Sequence, residues 1–218
     1  QIAAGYIKDS NIYDYRHYFS YIKPLLAKSD LNIVNFESTL AGPPYSGYPQ
    51  FCSPDAYAFA LKDAGFNFFV SANNHSVDKG LKGINRTIFV FDSLGINFTG
   101  TFRNQQERDS TYPSIIDIKG VKIAILDYTY GTNGLKVPSP AIVNLIDTSV
   151  IAEDLKIAKS KSPDFTMVAM HWGNEYEREP SKQQKFLADF LFSKDVDVII
   201  GSHPHVVQPL AYADKNQD

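Results

Sequence analysis

The sequence has one cysteine, Cys52, which rules out a disulfide within the chain and any site built on several thiolates. No stretch approaches the ~18 consecutive apolar residues of a membrane-spanning helix. Basic residues form no block, and a net charge of −3 leaves no electrostatic footprint for nucleic acid or an anionic membrane. There is no Gly-x-Ser-x-Gly elbow, no glycine-rich phosphate loop and no dinucleotide fingerprint. Low-complexity tracts and linkers are absent too, so the 218 residues are expected to form a single domain or a large fragment of one. No signal peptide is recognisable. The chain begins at Gln1 rather than Met, as expected of a processed or trimmed chain.

Hydrophobic residues make up 44% of the chain, enough for a sizeable core. Tyrosine and phenylalanine supply most of the aromatic share; such residues fill cores, and tyrosine also lines polymer-binding grooves. A looser repetition is more informative. Four times a helix-like segment runs through a polar or glycine break into an apolar strand that ends on a potential metal ligand. The helix-like stretch 25–30 leads to a strand over 31–36 and then Glu37. The stretch 57–65 leads to 66–71 and then Asn74 and His75. The stretch 151–161 leads to 165–170 and His171, and the stretch 183–194 leads to 196–200, His203 and His205. Helices alternating with short apolar strands predict βαβ units with buried strands. In open α/β sheets, ligands bind just beyond the carboxyl ends of strands, where all of these residues fall. Between the second and third units the pattern predicts a helix over 83–94 stopped by Gly95, then a hairpin of strands 113–118 and 121–128 turning at Lys119-Gly120.

Each candidate has a plain structural alternative. His203-Pro204-His205 is either a pair of imidazoles turned toward a metal or a solvated loop. His171 is either a ligand or a core-edge histidine satisfied by a carbonyl. Asn74 offers a neutral oxygen ligand or simply a turn, and the neighbouring His75 could protonate a leaving oxygen. Asp78 either holds the His75 ring or caps the next helix. Glu37, at the end of an otherwise uncharged strand, is a bridging carboxylate or a surface one. Glu175 and Tyr176 are placed to reach substrate or to orient His171, or else are solvated. Together, one carboxylate, one amide and three imidazoles at strand ends suit a mixed nitrogen and oxygen site for Mn, Fe or Zn.

In order along the chain, Asn35-Phe36-Glu37, Ala72-Asn73-Asn74-His75-Ser76 with Asp78 and Gly80, Tyr130-Gly131-Thr132-Asn133-Gly134, His171-Trp172-Gly173 with Glu175-Tyr176, and Gly201-Ser202-His203-Pro204-His205-Val206 resemble the CapA family, the bacterial capsule synthesis or poly-γ-glutamate capsule proteins. That family is similar to the calcineurin-like metallophosphoesterases, so the resemblance implies an α/β layered sandwich, two sheets flanked by helices. It implies two divalent ions in the full-length protein. Glu37 would bridge them, Asn74, His171 and His203 would hold one, and His205 would hold the other, with His75 as general acid. It further implies a chain incomplete at both ends, lacking a first strand ending in Gly-Asp and further C-terminal strands. The cell envelope, with a membrane anchor and membrane partners in capsule synthesis, is the expected setting. Two functions follow: a metal-dependent hydrolase or transferase acting on a phosphoester or an amide bond of an anionic polymer, or a non-catalytic envelope factor that binds or exports such a polymer.

Overall fold

The computed structural model describes residues 5–8 and 12–212. A short antiparallel pair, β1 (Tyr6–Ile7) and β2 (Ile12–Tyr13), is followed by a 3-10 turn at Arg16–Phe19 and by α1 (Lys23–Leu26). Next come β3 (Ile33–Asn35), α2 (Asp55–Ala64), β4 (Phe68–Val70), α3 (Gly80–Leu94) and β5 (Asn97–Thr99). These three strands form one parallel sheet, β3-β4-β5. The chain continues through β6 (Thr101–Phe102) and α4 (Gln105–Thr111) into the hairpin β7 (Ser114–Ile118) and β8 (Val121–Thr129). Then follow β9 (Ile142–Val143), α5 (Thr148–Ser160), β10 (Phe165–His171), α6 (Lys182–Phe192) and β11 (Val198–Ser202). The second sheet runs β11-β10-β8-β7, parallel except for β7, and β6 pairs with β9. The protein is therefore a mixed α/β fold in which βαβ crossovers recur in both halves.

The period of two along each strand explains where the cores lie. In β4, Phe69 packs with Phe36, Leu61 and Phe91 on the side of α2 and α3. Its neighbours Phe68 and Val70 instead meet Ile125 and Ala169 of the other sheet. In β8, Leu126 packs with Val168, Leu155 and Leu191 on the side of α5 and α6. β4 and the Ala124–Thr129 part of β8 are thus buried on both faces, which is why they read as largely apolar runs rather than alternating ones.

The expected helices over 57–65, 83–94, 151–161 and 183–194 appear as α2, α3, α5 and α6. At the end of α3, Gly95 is left-handed (φ 60°) and its N–H closes onto the carbonyls of Asp92 and Phe91, the stop anticipated there. The hairpin turn puts both Lys119 (φ 55°) and Gly120 (φ 89°) at positive φ, as a two-residue type I′ turn requires. The helix-like stretch 25–30 departs from expectation. Only α1 forms, starting at Lys23 with Pro24 in its first turn, because the Ser-Asp break ends it early. β5, the β6–β9 pair and α4 were not anticipated. The Asn104 side chain begins α4 by accepting from the Glu107 backbone N–H. Among the described residues no helix is long and apolar enough to cross a membrane.

Candidate metal centre

Parallel register brings the strand ends level. Asn35, Val70 and Thr99 pair across the first sheet, and Thr129, His171 and Ser202 pair across the second. Glu37 lies two residues beyond β3, Asn74 and His75 follow β4, His171 closes β10, and His203 and His205 follow β11. The donors come from the ends of two sheets that face each other, not from one sheet edge.

His171 is at the centre and is buried. Its Nε2 is 2.9 Å from Asn74 Oδ1 and 3.8 Å from Glu37 Oε1, and its Nδ1 is 2.8 Å from Ser202 Oγ. Its ring centroid is 4.9 Å from that of His203, and the rings of His203 and His205 are 6.2 Å apart. Asn35 Nδ2 donates to Glu37 Oε2 at 3.0 Å, and Asn74 Nδ2 donates to Asn133 Oδ1 at 3.2 Å, so both oxygen donors are held by amides. The Tyr130 ring covers His203 at 4.8 Å.

Burial sets the charge state. Desolvation, reinforced by the neighbouring imidazoles, lowers the His171 pKa to about 3, so the ring is neutral near pH 7 and keeps a nitrogen lone pair. The Glu37–His171 contact is accordingly not an ion pair despite its length. Desolvation also lowers His203, partly opposed by Glu175. It raises Glu37, against the pull of His205 and His75 and the hydrogen bond from Asn35.

His75 is held differently. Its Nδ1 lies 2.7 Å from Asp78 Oδ2, and the same oxygen accepts the Phe51 backbone N–H at 2.6 Å. Phe51 meets the imidazole edge-on at 4.4 Å. An acceptor-only carboxylate fixes the proton on Nδ1 and leaves Nε2 as the working nitrogen. Asp78 therefore orients His75 and does not cap α3, whose first residues follow Lys79 with no side-chain cap. Glu175 does not orient His171, whose nitrogens face Ser202 and Asn74. Glu175 Oε1 is instead 4.0 Å from His205 Nε2, and Tyr176 stacks on the His205 ring at 5.9 Å.

Residues 2–217 match the family described as "Bacterial capsule synthesis protein PGA_cap". The chain belongs to this family. It is 29% identical over 214 residues to the capsule biosynthesis protein CapA of Bacillus anthracis, an alignment covering 91% of this chain and 50% of that protein. It is also 29% identical over 203 residues to the PGA biosynthesis protein CapA of Bacillus subtilis, covering 88% of this chain and 52% of that protein. The chain thus spans about half the length of these curated relatives.

Among the described residues of this PGA_cap chain, two sets of side chains could each hold a cation: Glu37, His171 and His203, and Glu175, His203 and His205. Within each set the donor atoms lie within 4.8 Å of one another. His203 falls in both. Glu175, which is exposed, belongs to the second set. Sequence reasoning missed Ser202 and Tyr130, which hold and cover the imidazoles. The register of β11 with β10 would have found Ser202, since it pairs with His171.

Proposed function

We propose that this chain carries the metallophosphoesterase-like core of a capsule-biosynthesis protein. In this reading the two sheets and their helices form a layered sandwich whose strand ends bind divalent cations, two in the full-length protein, drawn from Mn, Fe or Zn. The protein acts as a metal-dependent hydrolase or transferase on a phosphoester or amide bond. The names of its relatives, a capsule biosynthesis protein and a PGA biosynthesis protein, support a role in that synthesis, at the cell envelope in this reading.

One observation carries the reading. Among the described residues buried His203 Nδ1 has no hydrogen-bond partner, a rare and costly state for a polar atom, and His203 belongs to both candidate donor sets. The surrounding groups fit a cation. Two ligands held about 2.0–2.2 Å from one ion at a right angle stand roughly 3 Å apart, and Asn74 Oδ1 and His171 Nε2 are 2.9 Å apart. A tautomer that places the His171 proton on Nδ1, toward Ser202, frees Nε2 for this role. When bound, such ions supply Lewis acidity and a nucleophilic water near neutral pH. Glu37 contributes negative charge, Asn74 contributes a neutral oxygen, and His75, as the doubly protonated imidazolium, donates its Nε2 proton to the leaving atom while Asp78 accepts from Nδ1–H and holds the ring.

The test uses the full-length protein, with metal content measured alongside phosphoesterase and γ-glutamyl hydrolase assays. His75→Ala should leave the bound metal unchanged and lower turnover by roughly 10²–10⁴-fold, the scale of general acid–base loss. Loss of metal in that variant would make His75 a ligand instead. Bound metal with no turnover in any assay would favour the other reading, a non-catalytic factor that holds or exports an anionic polymer.

A further inference from the structure

A second cavity opens beside the same imidazoles, and its lining bears on the reaction, on the premise that the metal centre just proposed is the working site. The larger cavity, about 660 Å³, is lined by Glu37, His75 and His205 among others. The second, about 390 Å³, is lined by His203, Trp172 and Leu187 among others. Among the described residues Glu175 is the one that lines both. Each candidate donor set draws on both walls, since His203 lines the second cavity while Glu37 and His205 line the larger one. The donor sets therefore stand at the boundary between the two spaces.

His75, which serves the leaving atom, lines the larger cavity and not the second. An attacking atom approaches the transferred group away from its leaving atom, in line where that group is phosphoryl. A hydrolase needs room there for one water, about 10–15 Å³. The second cavity is far larger than that and falls in the range of small-molecule sites, about 300–1,000 Å³.

Its walls select the occupant. Trp172 and Leu187 belong to the buried core, with Ile146 packed against it, so one side is apolar and fixed by packing. The polar groups of the lining are unengaged. Among the described residues the Trp172 indole N–H and the side-chain amides of Asn174 and Gln183 make no hydrogen bond. No lysine or arginine among the described residues lines the cavity, so nothing there would balance a multiply charged anion. An ammonium group would be repelled by cations in the donor sets. An uncharged alcohol meets neither cost. Its carbon skeleton packs on Trp172 and Leu187, and its hydroxyls exchange hydrogen bonds with the amides, the indole N–H and the Glu175 carboxylate.

We propose that the second cavity is the acceptor site for a small uncharged alcohol, which makes the protein a transferase rather than a hydrolase. The bond from the transferred phosphorus or carbonyl carbon to its leaving atom breaks, and a bond from the same atom to the acceptor oxygen forms. The leaving atom takes a proton from His75, the acceptor hydroxyl gives its proton to solvent, and His75 regains one from solvent. No other reactant is consumed.

Saturation-transfer NMR and product counting on the full-length protein in Mn²⁺ test this, with glycerol, erythritol and glucose as probes. At least one alcohol should bind, and Gln183→Trp, which fills the cavity from an exposed position, should weaken it roughly tenfold or more. The donors are p-nitrophenyl phosphate and γ-glutamyl-p-nitroanilide. With the bound alcohol present, release of the nitro product from one of them should exceed release of phosphate or glutamate. The excess should vanish in Gln183→Trp. Alcohols that fail to bind, or that bind Gln183→Trp equally well, overturn the proposal. So does equal release of both products at saturating alcohol. A protein that takes up no Mn²⁺ and turns over neither donor would sink the metal centre and the transfer with it. Mn²⁺ uptake with hydrolysis that no alcohol diverts would leave the metal centre standing and remove the acceptor site.

Discussion

The half of the molecule around β3, β4 and β5 presents its site residues on a closed frame of hydrogen bonds, whereas the half around β8, β10 and β11 presents them on strained backbone. In the first half Asn73 Nδ2 donates to the Phe36 carbonyl at 2.9 Å, and Asn73 Oδ1 accepts the His75 backbone N–H at 3.0 Å. Ser76 Oγ accepts the Asn73 N–H at 2.8 Å and lies within bonding distance of the Ser71 and Asn73 carbonyls. In the second half His203 (φ 96°) and His205 (φ 56°) are both in the left-handed region, where a residue with a Cβ costs about 1–3 kcal/mol. Among the described residues, a buried nitrogen of His203 also has no partner. The chain's own hydrogen bonds close the backbone around Asn73–Ser76, whereas the loop that carries His203 and His205 is held at positive φ.

The largest expected effect lies where the halves are joined. Asp127 of β8 is fully buried, and its Oδ2 accepts the backbone N–H groups of Ser71 (2.8 Å) and Ala72 (2.7 Å), just ahead of Asn74 and His75. The backbone of Gly100 makes room for it: a Cβ there would lie 2.0 Å from that oxygen. Asp127→Ala leaves the buried Ala72 N–H unpaired and the Ser71 N–H with only the Thr99 carbonyl at 3.0 Å, and should cost about 2–3 kcal/mol in urea unfolding. Asp127→Asn keeps an acceptor and should cost far less. Burial pushes the Asp127 pKa well above the usual carboxylate range. The folded state therefore binds this proton more tightly than the unfolded chain does. The stability it contributes is complete below the unfolded pKa of about 3.9 and declines as pH rises above it. Asp127→Asn should remove that decline. An Asn variant as unstable as the Ala variant at every pH would show that Asp127 is not the joint.

Next in size is the response to metal. If the second half waits for a cation, Mn²⁺ at 100 times its Kd should stabilise the protein by about 2.7 kcal/mol. Hydrogen exchange should locate the gain. Amides over 202–206 should become protected while those over 71–76, already bonded, change little. Equal changes in both segments would erase the contrast between the halves.

That contrast was only half legible in the sequence. The apolar runs ending at Glu37, Asn74, His171 and His203 announced the strand ends because buried parallel strands need unbroken apolar sequence, and α2, α3, α5 and α6 showed through their glycine and polar punctuation. β5 did not show, since Asn97-Phe98-Thr99 is short and polar and gains strand geometry only by pairing with β4. Asp127 was equally hidden. A single acid inside Val121–Thr129 has no local signature, and its partners Ser71 and Ala72 are more than fifty positions away. Asp78 precedes α3 as a cap would, and only the approach of Phe51 and His75 directs it elsewhere. Roles fixed by contacts distant in sequence are the ones a local pattern cannot carry.

The smallest effect concerns the opposite end of the strands, where the halves meet through an exposed ion pair between Lys119 and Asp30 at 2.8 Å. Side chains there are 76% and 54% exposed, so the pair contributes at most a few tenths of a kcal/mol. Lys119 occupies a left-handed turn position, which costs a residue such as lysine about 1 kcal/mol. Asparagine tolerates that conformation and forms the preferred Asn-Gly turn. The turn term exceeds the ion-pair term, so Lys119→Asn should raise stability by roughly 0.5 kcal/mol despite removing the bridge. The gain should not depend on salt. A destabilised variant whose deficit shrinks as salt is added would mean that the ion pair outweighs the turn, and that this end of the strands contributes more to joining the halves than its exposure implies.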